Sequence, residues 1–200
     1  MANDASKIRF APNGAIYVAP APVKGATGGT TPPAELGDGS APSGYKALGY
    51  VDESGVTLTP AIETQAVNAW QSASPVLYNV QSASFSVKAT LQETNQTTTE
   101  LFWGAPWVEV KDTQGTGTGV FRLDLSSTPE LKEISLVIDW NEKSVKNRAV
   151  ISRAMISDRG AIQLSRTENG KFELTIEAMD LDGSLGYVLT NDDIIETVTP

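Results

Sequence analysis

The chain has 200 residues, enough for one substantial hydrophobic core, and it contains neither histidine nor cysteine. Without these two residue types most routes to acid–base, thiol and metal chemistry are lost, which argues against an enzyme or a cofactor-dependent protein. A formal net charge of −9 argues against a surface that binds nucleic acid or an anionic membrane. We see no apolar run near the ~20 residues that span a bilayer and no secretory signal, so we expect the cytoplasm as the first location.

The N-terminal part of the chain predicts one strand followed by a long irregular segment. Residues 15–19 form a short apolar run typical of a strand. Residues 20–44 are rich in Pro, Gly and Thr and have no hydrophobic period, which is unusual for a loop inside a compact domain. Two interpretations are open: a flexible insertion, or an arm that becomes ordered only against a neighbouring subunit.

Four later segments alternate apolar and polar residues with the period of a half-buried strand. They cover residues 82–91, 119–126, 132–140 and 171–179. The opposite faces are rich in hydroxyls and charges, which predicts that they face solvent. The predicted inward side chains are, in chain order, Ala83, Phe85, Val87, Ala89, Leu91, Phe121, Leu123, Leu125, Ile134, Leu136, Ile138, Trp140, Phe172, Leu174 and Ile176.

The turn signals agree with a chain of antiparallel strands. Asn169-Gly170 separates the apolar alternations at residues 162–164 and 172–174 and predicts a tight hairpin. The Gly/Thr run at residues 115–119 predicts a looser hairpin loop.

One short helix is predicted at about residues 95–103, with Asn95 as its N-cap and Gly104 as its C-terminal stop. Together with the strands it predicts a mainly β fold. We expect a single domain over residues 1–200, built as an antiparallel β-sandwich or barrel with one short α-helix and a long Pro/Gly-rich loop at residues 20–44.

Two groups of side chains suggest chemistry but have simpler explanations. Glu133 with Asp139, and Glu173 with Glu177, share strand faces, as a glycosidase-like carboxylate pair would. A solvated strand face is the commoner meaning of such a pattern. A sugar-binding platform of tryptophans is a second possibility, although tryptophans lie more often in a core. The chain has four of them: Trp70, Trp103, Trp107 and Trp140.

Charge is sorted along the last third of the chain. Residues 143–171 hold seven Lys/Arg against two Asp/Glu, whereas residues 172–200 hold seven Asp/Glu and no Lys or Arg. Neighbouring strands can pair these charges within one subunit. Alternatively, the subunit has two unlike faces and associates head to tail into rings or filaments. In that case the expected contacts between subunits are Lys146, Arg148, Arg153, Arg159, Asp192, Asp193 and Glu196.

Several short segments resemble the major tail (tail tube) proteins of long-tailed, non-contractile phages of actinobacteria. The resemblance covers most of the chain but not residues 113–127. It is carried, in chain order, by the opening strand GAIYVAP at residues 14–20, LGYVDESGV at 48–56, Trp70 in the form V-x-A-W, the strand at 83–91 that leads into Glu93 and Asn95, LFWG at 101–104, RAVI at 148–151 and SDRG at 157–160.

This resemblance implies a structural virion protein without catalytic residues. Its copies would form rings, in that family hexameric, that stack into the tail tube, and DNA would pass through the lumen without specific binding. The implied partners are other copies of the chain and the tape-measure, tail-tip and tail-terminator proteins, with no membrane involved. The acidic strand faces that carry Glu133 and Asp139, or Glu173 and Glu177, are candidates for the lumen surface.

Two alternatives to a tube subunit remain at this stage. Another ring-forming tail protein, such as a terminator or baseplate hub, would share the fold. A non-enzymatic β-sandwich module for binding or adhesion would show exposed aromatic side chains and no self-association.

Overall fold

The computed structural model describes residues 4–22, 29–128 and 131–193. Within these ranges the chain forms a 3₁₀ turn at Ala5–Lys7, one α-helix, α1 at Gln96–Trp103, and ten strands. The strands are β1 Asn13–Pro20, β2 Lys46–Ala47, β3 Val51–Val67, β4 Leu77–Leu91, β5 Val108–Lys111, β6 Gly117–Arg122, β7 Ile134–Glu142, β8 Val145–Arg159, β9 Phe172–Ala178 and β10 Tyr187–Thr190. The predicted class, a mainly β antiparallel fold with sandwich-like packing and one α-helix, is confirmed.

Eight strands form one antiparallel sheet in the order β2–β1–β7–β8–β9–β4–β3, with β10 paired to β8. The sheet curls, because apolar side chains from β1, β7, β8, β9 and β4 all meet in one core cluster, with Val56 and Leu58 of β3 at its margin. A cleft of about 930 Å³, which we call the seam cleft, lies between residues 13–16 of β1 and residues 51–58 of β3. The sheet is therefore a barrel that stays open along one seam.

The described part of the long Pro/Gly-rich segment covers the outer side of β1, β7 and β8. Tyr45 packs there in a second apolar cluster, and its hydroxyl lies 2.7 Å from Ser135 Oγ. The carbonyl of Glu35 accepts a hydrogen bond from Arg148, and that of Pro33 accepts one from Tyr187. Residues 29–44 thus lie on their own subunit, residues 23–28 fall outside the described ranges, and a contact of this segment with a neighbour stays a prediction.

α1 has the predicted N-cap and the predicted C-terminal stop. The Asn95 side chain accepts a hydrogen bond from the Thr98 N–H at 2.9 Å, and Gly104 ends the helix in the left-handed conformation, with φ 74°. Phe102 is buried and meets the Phe172 ring of β9 edge-on at 5.3 Å between centroids. This contact fixes the helix to the barrel.

Four local predictions are wrong. Ala83, predicted to face inward, is exposed where β4 extends beyond the rest of the sheet. Residues 161–165 form no strand, and Asn169-Gly170 lies in the irregular connection between β8 and β9, so the tight hairpin is absent. Phe121 and Leu125 are exposed, because β5 and β6 form a separate two-stranded sheet with no core behind it. Ser135, predicted to face solvent, is buried because the segment ending at Tyr45 covers that side of β7.

Candidate assembly surface

A long hairpin of β3 and β4 extends beyond the rest of the sheet. The two strands pair with each other from Val51 opposite Leu91 to Val67 opposite Leu77, whereas β4 pairs with β9 only over residues 86–91. We call residues 62–82 the distal hairpin. At ~3.3 Å per residue, the stretch from Ile62 to the apex at Trp70 reaches at most about 26 Å. Almost all of its residues are exposed, so this arm rests on nothing in its own subunit.

The distal hairpin is apolar for an exposed structure. No charged residue occurs between Glu63 and Lys88. Seven large hydrophobic side chains on it are exposed: Ile62, Val67, Trp70, Val76, Leu77, Tyr78 and Val80. At on the order of 100 Å² each they present about 700 Å² of apolar surface in total. Val67 and Leu77 lie opposite each other and on the other side of the hairpin from Ile62, Tyr78 and Val80. The five remaining side chains give one side and the apex about 500 Å², within the ~300–600 Å² of the largest patch on a typical monomer. A surface of this kind indicates a binding partner.

The apolar side chains of the hairpin continue the core face of the sheet. The pair Leu58–Val87 belongs to the core, and the pairs Ile62–Ala83, Thr64–Val80 and Ala66–Tyr78 follow on the same face. A bulge at Gln81, between the pairs Glu63–Ser82 and Thr64–Val80, keeps the register of the apolar residues. We call this side of the hairpin the apolar face.

The opposite side, which we call the hydroxyl face, carries small polar groups. Its cross-strand pairs are Thr59–Ser86, Ala61–Ser84, Glu63–Ser82 and Gln65–Asn79, and near the apex it ends in the apolar pair Val67–Leu77. The face continues onto β9, where Glu177 lies opposite Ser86 and Glu173 lies opposite Thr90. Lys88 contacts Glu173 at 2.5 Å. Two of the four residues predicted to face the lumen, Glu173 and Glu177, therefore share this face with the hydroxyls.

The other two predicted lumen residues pair with predicted contact residues inside the same subunit. Arg148 Nε and Nη2 donate to the two oxygens of Asp139 at 2.6 Å each, and these side chains are 5% and 16% exposed. Arg153 holds Glu133 in the same bidentate way at 2.8 and 2.6 Å, which lowers the pKa of Glu133. Arg148 and Arg153 are thus paired within the subunit, but with the carboxylates at 139 and 133 and not with the acidic residues after position 171.

The remaining predicted contact residues lie apart. Lys146 donates to the Gly37 carbonyl at 3.2 Å, and Arg159 is exposed beside α1. Asp192 accepts two hydrogen bonds from Arg9 at 2.7 and 2.8 Å, and Asp193 lies 3.7 Å from the same guanidinium. Glu196 lies outside the described residues. No role of these residues between subunits is visible within one chain, and that role stays a prediction.

The sequence analysis did not predict the distal hairpin, although one signal in the sequence could have revealed it. A stretch with strand-like alternation and no charge between Glu63 and Lys88 is unusual in a chain whose net charge is −9.

In the described part of the chain no three carboxylates converge into a metal site. None of the described helices is long and apolar enough to cross a membrane.

The arrangement therefore offers a surface for binding protein. A search of curated proteins finds no match to this chain. The sequence profile of a family described as phage tail tube protein matches residues 1–200, the whole chain, and confirms the resemblance at the level of the family. A largely apolar arm that its own subunit leaves uncovered suits a protein that binds other copies of itself. This chain belongs to the phage tail tube protein family, the structural proteins of the virion tail.

Proposed function

We propose that copies of this chain assemble into rings and that the rings stack into the tail tube, the conduit through which DNA leaves the virion. Six subunits to a ring is the number that the sequence resemblance implies. The observation that carries the proposal is the distal hairpin, whose apolar face and apex leave about 500 Å² of apolar surface uncovered. One partner in a stable protein interface contributes about 800 Å², so this arm supplies a large part of one side of such an interface.

The hydroxyl face is the surface that we assign to the lumen. Its serine, threonine and amide side chains carry no charge, and its carboxylates, Glu63, Glu173 and Glu177, repel phosphate. Its lysine, Lys88, is held by Glu173. Proteins bind the DNA backbone through Lys and Arg that displace counterions, so this face lets DNA pass without retaining it. The tape-measure, tail-tip and terminator proteins are the expected partners inside and at the ends of the tube.

Two substitutions at adjacent positions test the assembly role of the apolar face. Val80→Glu places a charge on the apolar face, and Asn79→Glu places the same charge on the hydroxyl face. We expect Val80→Glu to leave a folded monomer without rings or tubes in negative-stain electron micrographs, because an unpaired charge is costly to bury. Asn79→Glu should still assemble. Tubes of normal appearance from Val80→Glu would contradict the proposal.

Copy number separates a tube subunit from a terminator or hub ring that shares the fold. A stacked tube needs many rings, whereas either alternative needs one or a few. Quantitative mass spectrometry of purified particles should therefore find this chain among the most abundant tail proteins. A content equal to a single ring would contradict the assignment to the tube.

A further inference from the structure

The apex of the distal hairpin holds a tryptophan away from its own subunit. Trp70 is 98% exposed and lies in the turn between β3 and β4. The turn is ordered by its own hydrogen bonds: Ser72 N–H to the Ala69 carbonyl at 3.1 Å, Ser72 Oγ to the Ser74 carbonyl at 2.7 Å, and Val76 N–H to the Val67 carbonyl at 2.9 Å. The indole is thus presented on a formed loop, and part of the entropy of ordering it is already lost before binding.

A pocket on another side of the barrel has the chemistry that an indole requires. This pocket, which we call the α1 pocket, has a volume of about 500 Å³ and an apolar lining that includes Leu101, Leu131 and Ile156. Three cationic side chains, Lys46, Lys132 and Arg159, also line it. None of these cations has a carboxylate partner within 4.0 Å among the described residues.

Cations at an apolar site favour tryptophan over other occupants, because the indole face attracts Lys and Arg while the ring fills apolar volume. The same lining also holds two carboxylates. Glu133 is held by Arg153. Glu100 Oε1 accepts hydrogen bonds from Gln96 and from the Trp107 N–H, and its other oxygen can accept the indole N–H. The seam cleft differs in charge, since Asp52, Glu53, Glu93 and Asp139 line it and no cation does. The uncharged apex meets no repulsion at the α1 pocket.

We infer that Trp70 of one copy inserts its indole into the α1 pocket of a neighbouring copy. This inference rests on the proposed self-assembly and identifies one contact between neighbouring copies. An arm and a pocket at different places on one subunit make a head-to-tail contact, so every subunit both gives and receives a tryptophan.

Substitution at the apex tests the contribution of the indole. Because Trp70 is exposed in the single subunit, Trp70→Ala should leave the thermal unfolding of the monomer unchanged. It should raise the concentration needed for assembly at least roughly thirtyfold, the effect of losing one hot-spot residue. Gln71→Ala, at the next position of the same turn, is the matched control and should assemble as the unaltered chain does. Equal assembly by Trp70→Ala would overturn the inference.

Disulfide mapping tests the position of the contact, and the natural absence of cysteine makes the background clean. Gln71→Cys protein is mixed with Lys132→Cys protein, and in a control with Lys143→Cys protein, under mild oxidation. We expect a 71–132 disulfide and no 71–143 disulfide, since a disulfide requires Cα atoms about 4.4–6.8 Å apart. Rings without the 71–132 disulfide would overturn the inference and leave the proposed function standing. If neither rings nor the disulfide form from any mixture or from the unaltered chain, both fail.

Discussion

Replacing Arg148 with methionine is expected to remove about 3 kcal/mol of the free energy of unfolding. Arg148 makes three hydrogen bonds, two to Asp139 at 2.6 Å and one to the Glu35 carbonyl at 2.8 Å. Methionine fills similar volume but leaves the Asp139 carboxylate without its cation. Breaking a buried pair costs about 3–5 kcal/mol, and the lower end applies because Asp139 keeps some contact with water.

The assay is urea unfolding of the monomer at pH 7, followed by tryptophan fluorescence. In thermal unfolding, the same loss of about 3 kcal/mol in the free energy of unfolding would lower the melting temperature by about 6–12 °C for a domain of this size. Arg122→Met is the matched control, because Arg122 and Asp124 form a pair whose side chains are 70% and 73% exposed. Exposed pairs contribute about 0–1 kcal/mol, so this variant should unfold close to the unaltered chain.

A second variant separates the lost charge pair from lost packing. Asp139→Leu combined with Arg148→Met removes both charges, and its stability should return to within about 1 kcal/mol of the unaltered chain. A loss below about 1 kcal/mol for Arg148→Met alone would refute the reasoning. So would a double variant that is as unstable as the single one.

Three further outcomes are expected. The pKa of Asp52 lies below its ordinary value of ~3.9, mainly because Lys171 donates a hydrogen bond to it at 2.7 Å and secondly because Gln92 donates another. The stability that the Asp52 carboxylate contributes is therefore complete above about pH 4 and is lost as the pH falls towards the lowered pKa. In urea unfolding at a series of pH values, Asp52→Asn should therefore show a flatter decline below pH 4. Asn95→Ala should lower the free energy of unfolding by about 1 kcal/mol through loss of the helix cap, measured by the same method at pH 7. Finally, assembly through the apolar face of the distal hairpin should persist at 1 M NaCl and start at lower protein concentration in ammonium sulfate, as measured by sedimentation. Tubes that dissolve in NaCl would favour charged contacts instead.

Local rules explain which parts of the fold could be predicted. Asn95 and Gly104 determine the ends of α1 through bonds within a few residues, so sequence suffices to place the helix. The alternation in β9 was informative because one face of that strand, with Leu174 and Ile176, lies in the core. In both cases the physical cause is contained in the segment itself.

The wrong or missing predictions depend on distant residues. Asn169-Gly170 has the composition of a tight turn, but β9 pairs with residues 154–159 of β8 and not with residues 162–164. Apolar alternation near Phe121 does not show whether a core lies behind the strand. The pairing of Arg148 with Asp139 requires the register between β7 and β8. The candidate assembly surface was missed because exposure of the distal hairpin is a property of the whole sheet.

Because β1 pairs with β7, which lies much later in the sequence, this pairing is delayed during synthesis. Gly14 of β1 lies opposite Trp140 of β7, so the first strand leaves the ribosome roughly 120 residues before its partner. At about 5–20 residues per second this interval lasts roughly 6–24 s. β3 and β4, which adjoin in sequence, can pair during that time. The apolar side chains of β1 therefore stay without this partner strand until about 140 residues have been translated, and β9, which joins β4 to β8, follows later still.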